Sequence, residues 1–206
     1  MPNGFDTNQN CSQQIACISQ GGYQFVGRYY NVNNPSKNLT HAEAHLLSAG
    51  GIALVAVWEN GYPTKASYFT FQAGVNDSTS AYNYGSAVIG QPAGSAIYFA
   101  VDYDASAADI AGPIADYFRG VSQGFQTISS GNPIFKIGVY GSGNVCTAVL
   151  ASGVAQYAWL SQSTGWGGSK TFANWNIKQG AVTTVCDLDS DLDQAIDGDY
   201  GSFTIS

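Results

Sequence analysis

The stretch SAIYFAVDYDAS, Ser95–Ser106, runs through apolar and aromatic residues and stops on two carboxylates, Asp102 and Asp104. It has no regular polar alternation before those acids, which is the pattern of a strand covered on both faces in a parallel sheet. Similar short runs stand along the whole chain: GFDT from Gly4, FVGRYY from Phe25, GIALVAVWE from Gly51, FKIGVYGSG from Phe135, YAWLSQS from Tyr157, WNIKQ from Trp175 and SDLDQA from Ser190. With the first stretch they make eight strands. Helical signals separate the early ones. In THAEAHLLSAGG, Thr40 and Glu43 form a capping box and Gly50 or Gly51 supplies the stop. Residues 77–89 and 106–129 also read as helices, the second kinked at Pro113, and 142–152 as a shorter one.

Strand and helix alternating to a count of eight predict an α/β fold, a small (β/α)8 TIM barrel formed as a single domain by residues 1–206. The segments after the sixth and seventh strands, TGWGGSKTFAN and GAVTTVCDLD, carry no helix signal, so outer helices are expected to be missing or reduced near strands 6 to 8. An open doubly wound sheet would need helices in those segments.

In such a barrel the active site lies where the strands end, at the C-terminal face. The strand ends here are polar: Asp6, Arg28 and Tyr30, Glu59, Asp102 and Asp104, Tyr140, Ser161 and Gln162, Gln179, then Asp191 and Asp193. Alternation along the fourth strand puts Asp102 and Asp104 on one face with Tyr98 and Ala100, about 7 Å apart and aimed into the mouth. Two carboxyls at that spacing suit glycoside hydrolysis, in which one delivers a proton and the other acts on or stabilises the sugar cation. Crowded acids raise one another's pKa, the means by which one of them stays protonated. An isolated D-x-D serves equally as a solvated strand end or as a partner for Arg28 and Lys178. The further acids on other strand ends favour the catalytic reading. Trp58, Trp159, Trp166 and Trp175 cluster near strand ends with Tyr30 and Tyr140, where some must be core and others suit stacking on sugar rings.

Other chemistries fit poorly. The acids of DLDSDLDQA lack the glycine and the final glutamate of a helix-loop-helix calcium site. GVYGSGNV has neither dinucleotide glycine spacing nor a P-loop lysine. His41 and His45 share one face of the capped helix with no third ligand in view, so no metal and no cofactor is expected.

Charged residues make up only 10% of the chain, against about a quarter in an average soluble protein. Together with abundant Asn, Ser, Thr, Gly and Tyr, this suits an extracellular protein. Triplets at Asn10, Asn38 and Asn76 match the N-glycosylation acceptor pattern. Four cysteines allow two disulfides in any of three pairings. Cys11 and Cys17 are close enough to bridge locally, which would leave Cys146 and Cys186, and Cys146 reads equally well as a buried thiol. Seven basic residues and a net charge of −7 exclude a nucleic-acid partner, and no apolar run is long enough for a membrane span. The N-terminus has no basic or apolar leader region. The expected protein is a monomer that meets a neutral or cationic substrate.

GFDT, FVGRYY, K-x-LT-x-x-EA, GS-x-IYFAVDYD, YF-x-G, IGVYGSG-x-VC, WLSQSTGW, W-x-IKQ and DLDQA follow in order from Gly4 to Ala195. In that order they closely resemble a glycoside-hydrolase-like TIM-barrel family that is itself similar to the family 25 lysozymes. The resemblance implies a groove at the C-terminal end of the barrel and a secreted, lysozyme-like hydrolase of cell-wall amino-sugar polysaccharide, peptidoglycan or chitin-like. Asp6 matches the lysozymes' first-strand aspartate, and Tyr140 the tyrosine that ends their fifth strand. Asp191 or Asp193 corresponds to their eighth-strand acid. Their fourth-strand D-x-E is matched only at Asp102, because Asp104 stands where they carry glutamate. On this reading Asp104 is the general acid, with Glu59 as the alternative, and Asp102 orients and stabilises the reacting group. Asp6 and Asp193 complete an acidic floor, while Arg28, Tyr30, Tyr140, Trp159, Gln162, Gln179 and Asp191 contact substrate. The alternatives are a catalytically silent glycan-binding barrel and a hydrolase of a different polysaccharide.

Overall fold

The structure is a computed structural model that describes residues 1–206. Eight strands close into a barrel in sequence order: β1 (Asn3–Asp6), β2 (Phe25–Tyr30), β3 (Ala53–Trp58), β4 (Ala96–Ala100), β5 (Lys136–Gly141), β6 (Tyr157–Leu160), β7 (Ile177–Val185) and β8 (Leu188–Ala195). Side chains of one parity fill the inside, among them Phe25, Val57, Tyr98, Ala100, Trp159 and Ile177. Those of the other parity, such as Val26, Leu54, Phe99 and Val139, pack outward under the helices. From β2 to β6 both faces are dry, which is why those runs lack polar alternation.

Helices α1 (Ile15–Gln20), α2 (His41–Ala49), α3 (Phe71–Asn83), α4 (Ala107–Asp109), α5 (Ala115–Ile128) and α6 (Gly143–Ala151) form an incomplete outer ring. α3 begins before the expected residue 77 because Thr70 caps it, accepting from the Ala73 N–H. Pro113 lies in a wide turn, Ile110–Ile114, where a loosened ladder accommodates its missing N–H. No helix follows β6 or β7, as the glycine- and threonine-rich segments there predict. No helix is long and apolar enough to cross a membrane.

A barrel that is parallel throughout is corrected at its last strand. β8 runs antiparallel to both β7 and β1. The reversal is a tight turn in which Cys186 and Asp187 both have positive φ, 51° and 65°, as a two-residue hairpin of matching twist requires. Asp191 therefore reaches the mouth midway along its strand, and Asp193, two residues further on, lies deeper in the barrel. Asp191 pairs with Asp6 and Asp193 with Gly4.

Of the pairings the sequence leaves open, the local one between Cys11 and Cys17 does not form. Cys17 of α1 is bonded to Cys186 of the hairpin turn, 169 residues away, while Cys11 and Cys146 are buried thiols. Closing so long a loop restricts the unfolded chain strongly, so Cys17→Ser is expected to lower stability by about 2–5 kcal/mol. Thermal melts with and without reductant check this; wild type under reducing conditions should match the variant, and an unchanged midpoint would contradict it. The triplet at Asn38 is not an open acceptor either, since its buried amide donates to the Asn31 carbonyl at 2.7 Å.

Candidate active site

At the mouth, where β1 to β6 end and β7 runs past, a cleft of about 260 Å³ is lined by Asp6, Tyr29, Glu59, Asp102, Tyr140, Trp159, Gln162, Trp166, Gln179 and Asp191 among others. Its floor is organised by one side chain. The Gln179 carbonyl oxygen accepts from the Tyr140 hydroxyl at 2.9 Å and from the Gln162 N–H at 3.2 Å. With its orientation thus fixed, the Gln179 amide donates to Asp6 at 2.8 Å and to Asp191 at 3.1 Å. Asp6 also accepts from the Tyr29 hydroxyl at 3.1 Å, and Asp191 from the Gln162 amide at 3.3 Å.

Asp193 lies one layer deeper, where it accepts from the Trp159 indole N–H at 2.9 Å. Its other oxygen is buried without a partner, an arrangement that a carboxyl proton relieves. Gly27 leaves the space in which the Trp159 ring lies; a Cβ there would stand 2.6 Å from the ring and 2.8 Å from the Asp6 Cβ.

Burial governs the electrostatics. It raises Asp6 from the ordinary 3.8 to about 7, against the hydrogen bonds from Gln179 and Tyr29, with the Asp191 charge adding to the rise. Burial, reinforced by Asp6, holds Asp193 well above the usual carboxylate range. The two acids titrate as a pair. Asp191 is raised by burial and by Asp102, with the Gln162 hydrogen bond opposing. Asp102 is raised by burial alone. Glu59 is raised by burial, while Lys37, 3.8 Å away, pulls it down.

Each of these carboxyls keeps its proton to a higher pH when folded than when unfolded. Between roughly pH 4, the unfolded value, and the Asp6 value near 7, the native state binds more protons, so stability falls as pH rises. The melting temperature should therefore be higher at pH 5 than at pH 8, and Asp193→Asn should flatten the slope. A midpoint that climbs with pH over this range would contradict the arrangement.

Asp104 and Asp102 part company in the structure. β4 ends at Ala100, so alternation no longer governs residue 104. Asp104 is exposed and accepts from the Gly167 N–H at 2.8 Å, on the β6–β7 connection. Asp102 is half-buried at the cleft wall, its N–H bonded to the Pro63 carbonyl at 2.9 Å. No protein group bonds its carboxyl.

Arg28 and Tyr30 are not brought to the mouth. Both are fully buried on the outside of β2. Arg28 is ion-paired with Glu43 at 2.7 Å, and Tyr30 donates to Gln91 at 2.8 Å. The Glu43 carboxylate is drawn inward to Arg28 instead of closing the α2 capping box. Tyr29, of the opposite parity, is the β2 residue in the cleft. Its signal was its register with Phe25 and Gly27, the inward side of the strand. Trp166 reaches the cleft from the helix-free connection after β6, while Trp58 is core.

A family model described as an Rv2525c-like, glycoside hydrolase-like domain matches residues 16–197. The chain belongs to that family. FadG of Bacillus subtilis (strain 168) is 29% identical over 213 residues, covering 96% of this Rv2525c-like chain, which spans only 36% of FadG. The Tat-secreted protein Rv2525c of Mycobacterium tuberculosis, solved with L-tartrate, superposes with a TM-score of 0.77 at 19% identity, covering 98% of both chains. The modular autolysin LytC of Streptococcus pneumoniae, solved with a synthetic peptidoglycan ligand, gives 0.59 at 10% identity over 93% of this chain and 46% of LytC. A muramidase from Trichobolus zukalii gives 0.52 at 10% identity over 93% and 92%. At these identities the likeness to the solved structures is one of fold.

Proposed function

We propose that this Rv2525c-like barrel is an exported glycoside hydrolase of muramidase type that acts on cell-wall amino-sugar polysaccharide. The observation that carries the reading is the Asp102 carboxyl. It lines the cleft, burial raises its pKa, and it is left without a protein hydrogen-bond partner, so its proton is free for a substrate. Glu59 lines the same cleft, its carboxyl raised by burial and by the Asp102 charge and drawn back toward the ionised form by Lys37 beside it. In the proposed reaction Asp102 gives its proton to the glycosidic oxygen as the bond to the anomeric carbon breaks. Glu59 faces the developing sugar cation, and water supplies the hydroxyl to that carbon while its remaining proton returns to the carboxyl pair. The Gln179 network holds Asp6, Asp191 and Tyr140 as a fixed polar floor for the sugar hydroxyls. These roles revise the sequence-based reading, in which Asp104 was the acid. The likeness of fold to a muramidase and to a peptidoglycan-binding autolysin supports the substrate class. The disulfide supports an oxidising compartment.

The second reading, a silent glycan-binding barrel, is favoured by the outward position of Asp104. Release of reducing ends from insoluble peptidoglycan and from chitin separates the two. The hydrolase reading expects release with an optimum at mildly acidic pH; saturable binding without release at any pH supports the silent barrel.

A further inference from the structure

The central cleft is not isolated. A second cavity of about 360 Å³ opens between the β2 and β3 connections, lined by Asn31, Asn33, Asn34, Lys37, Glu59 and Tyr62 among others. Glu59 lines both spaces. Lys37 stands at their junction, 3.8 Å from Glu59 and 5.7 Å from the centre of the Tyr29 ring. On the β8 and β1 side a third cavity of about 220 Å³ shares Asp6, Tyr29 and Asp191 with the central cleft and continues past Asp189 to Val182. Three adjoining cavities fit a polymer better than a single small ligand.

Tyr62 is the unusual element of this row. It is 78% exposed, and its φ of 61° follows a φ of 66° at Gly61. Positive φ is strained for a bulky residue, and Pro63 has no N–H with which to close the turn. The turn is nonetheless anchored on both sides. Asn60 accepts from the Val32 and Asn33 N–H groups at 3.2 and 3.0 Å, and the Pro63 carbonyl accepts from Asp102 at 2.9 Å. An aromatic ring is thus held in solvent at a fixed offset from Asp102.

Building on the glycan-hydrolase reading, we infer that the Asn31–Tyr62 cavity is a second sugar subsite: Tyr62 stacks on the ring next to the one in the central cleft, and Lys37 receives an acidic substituent of the chain. Asn33 and Asn34 supply amide groups for hydroxyl and acetamido groups, while Asn31, bonded to the Glu59 carbonyl and the Asn34 N–H, holds the wall in place. Of the two flanking cavities, the one toward Val182 is lined by Asp6, Asp189 and Asp191 and the other contains Lys37, so a chain bearing carboxylates lies with those groups toward Lys37.

The test is calorimetric binding to the Asp102→Asn protein, which isolates affinity from turnover. The probes are two- and four-sugar fragments of peptidoglycan, which carry carboxylates, and chitin oligomers of the same lengths, which do not. Four sugars should bind more tightly than two. Tyr62→Gly should reduce that gain about tenfold in both series while raising the melting temperature, because glycine relieves the positive φ; Tyr62→Phe should keep the gain. Lys37→Met should weaken the carboxylate-bearing series alone. A length gain that survives Tyr62→Gly, or an equal effect of Lys37→Met on both series, would overturn the subsite. No binding of any fragment would overturn the glycan reading along with it.

Discussion

Asp102→Asn is expected to lower kcat/KM on peptidoglycan by about 10²–10⁴-fold, the contribution of a positioned general acid, while the melting temperature stays level or rises slightly. Both parts follow from the same placement. The carboxyl lines the cleft and is raised by its burial, so an amide removes the transferable proton and also removes a charge that the fold tolerates poorly. No hydrogen bond within the protein is lost. Asp104→Asn is the companion variant. Its carboxylate is exposed and tethers the Gly167 N–H, so the effect on rate should be far smaller. Full activity of Asp102→Asn would remove this carboxyl from the chemistry, and equal losses in both variants would show that the paired D-x-D of the sequence acts as a unit after all.

Glu43→Gln is expected to be the most damaging substitution for stability, by about 3–5 kcal/mol, because it leaves the Arg28 charge buried and uncompensated. The Glu43 carboxylate accepts from Arg28 Nε at 2.7 Å and Nη2 at 3.2 Å, from the Cys11 N–H at 2.9 Å and from the Asn10 amide at 3.1 Å. Arg28 donates in turn to the carbonyls of Thr7 at 2.6 Å and Lys37 at 3.1 Å. One ion pair thus ties the connection after β1, the turn before α2 and α2 itself to the barrel wall. For a chain of this length the loss corresponds to a fall of roughly 10 °C in melting temperature. Replacing both partners by apolar residues, Arg28→Met with Glu43→Leu, should recover much of it, since a buried ion pair contributes little beyond an apolar contact of similar volume. A shift below about 1 kcal/mol for Glu43→Gln, with a raised KM for Arg28→Lys, would return Arg28 to substrate binding.

The first six strands were legible because they are buried on both faces and leave apolar runs, while β7 and β8, exposed along one side, showed through their alternating polar residues. The site was legible where a strand simply ends, as at Asp6, Glu59, Asp102 and Tyr140; Gln179 also lines the cleft, although β7 runs on past it to Val185. Elsewhere the reading depended on information that no local run carries. In β2 the two parities, Arg28 with Tyr30 and Gly27 with Tyr29, look equally functional, and only the inward packing of Trp159 against Gly27 decides between them. Asp104 was misread because strand alternation was extended past Ala100, where the ladder stops. β8 brings Asp191 to the mouth and carries Asp193 deeper because the Cys186–Asp187 turn reverses the chain, and the pairing of Cys17 with Cys186 follows from that same turn meeting α1. Both are consequences of closure, which spacing along the sequence does not encode.

The most direct test of the central claim is mass spectrometry of the soluble products after wild type and Asp102→Asn are each incubated with insoluble peptidoglycan. The account predicts muropeptides with new reducing ends from wild type alone. Wild-type protein that pellets with the polymer and releases no fragment would contradict it and leave a barrel that only binds.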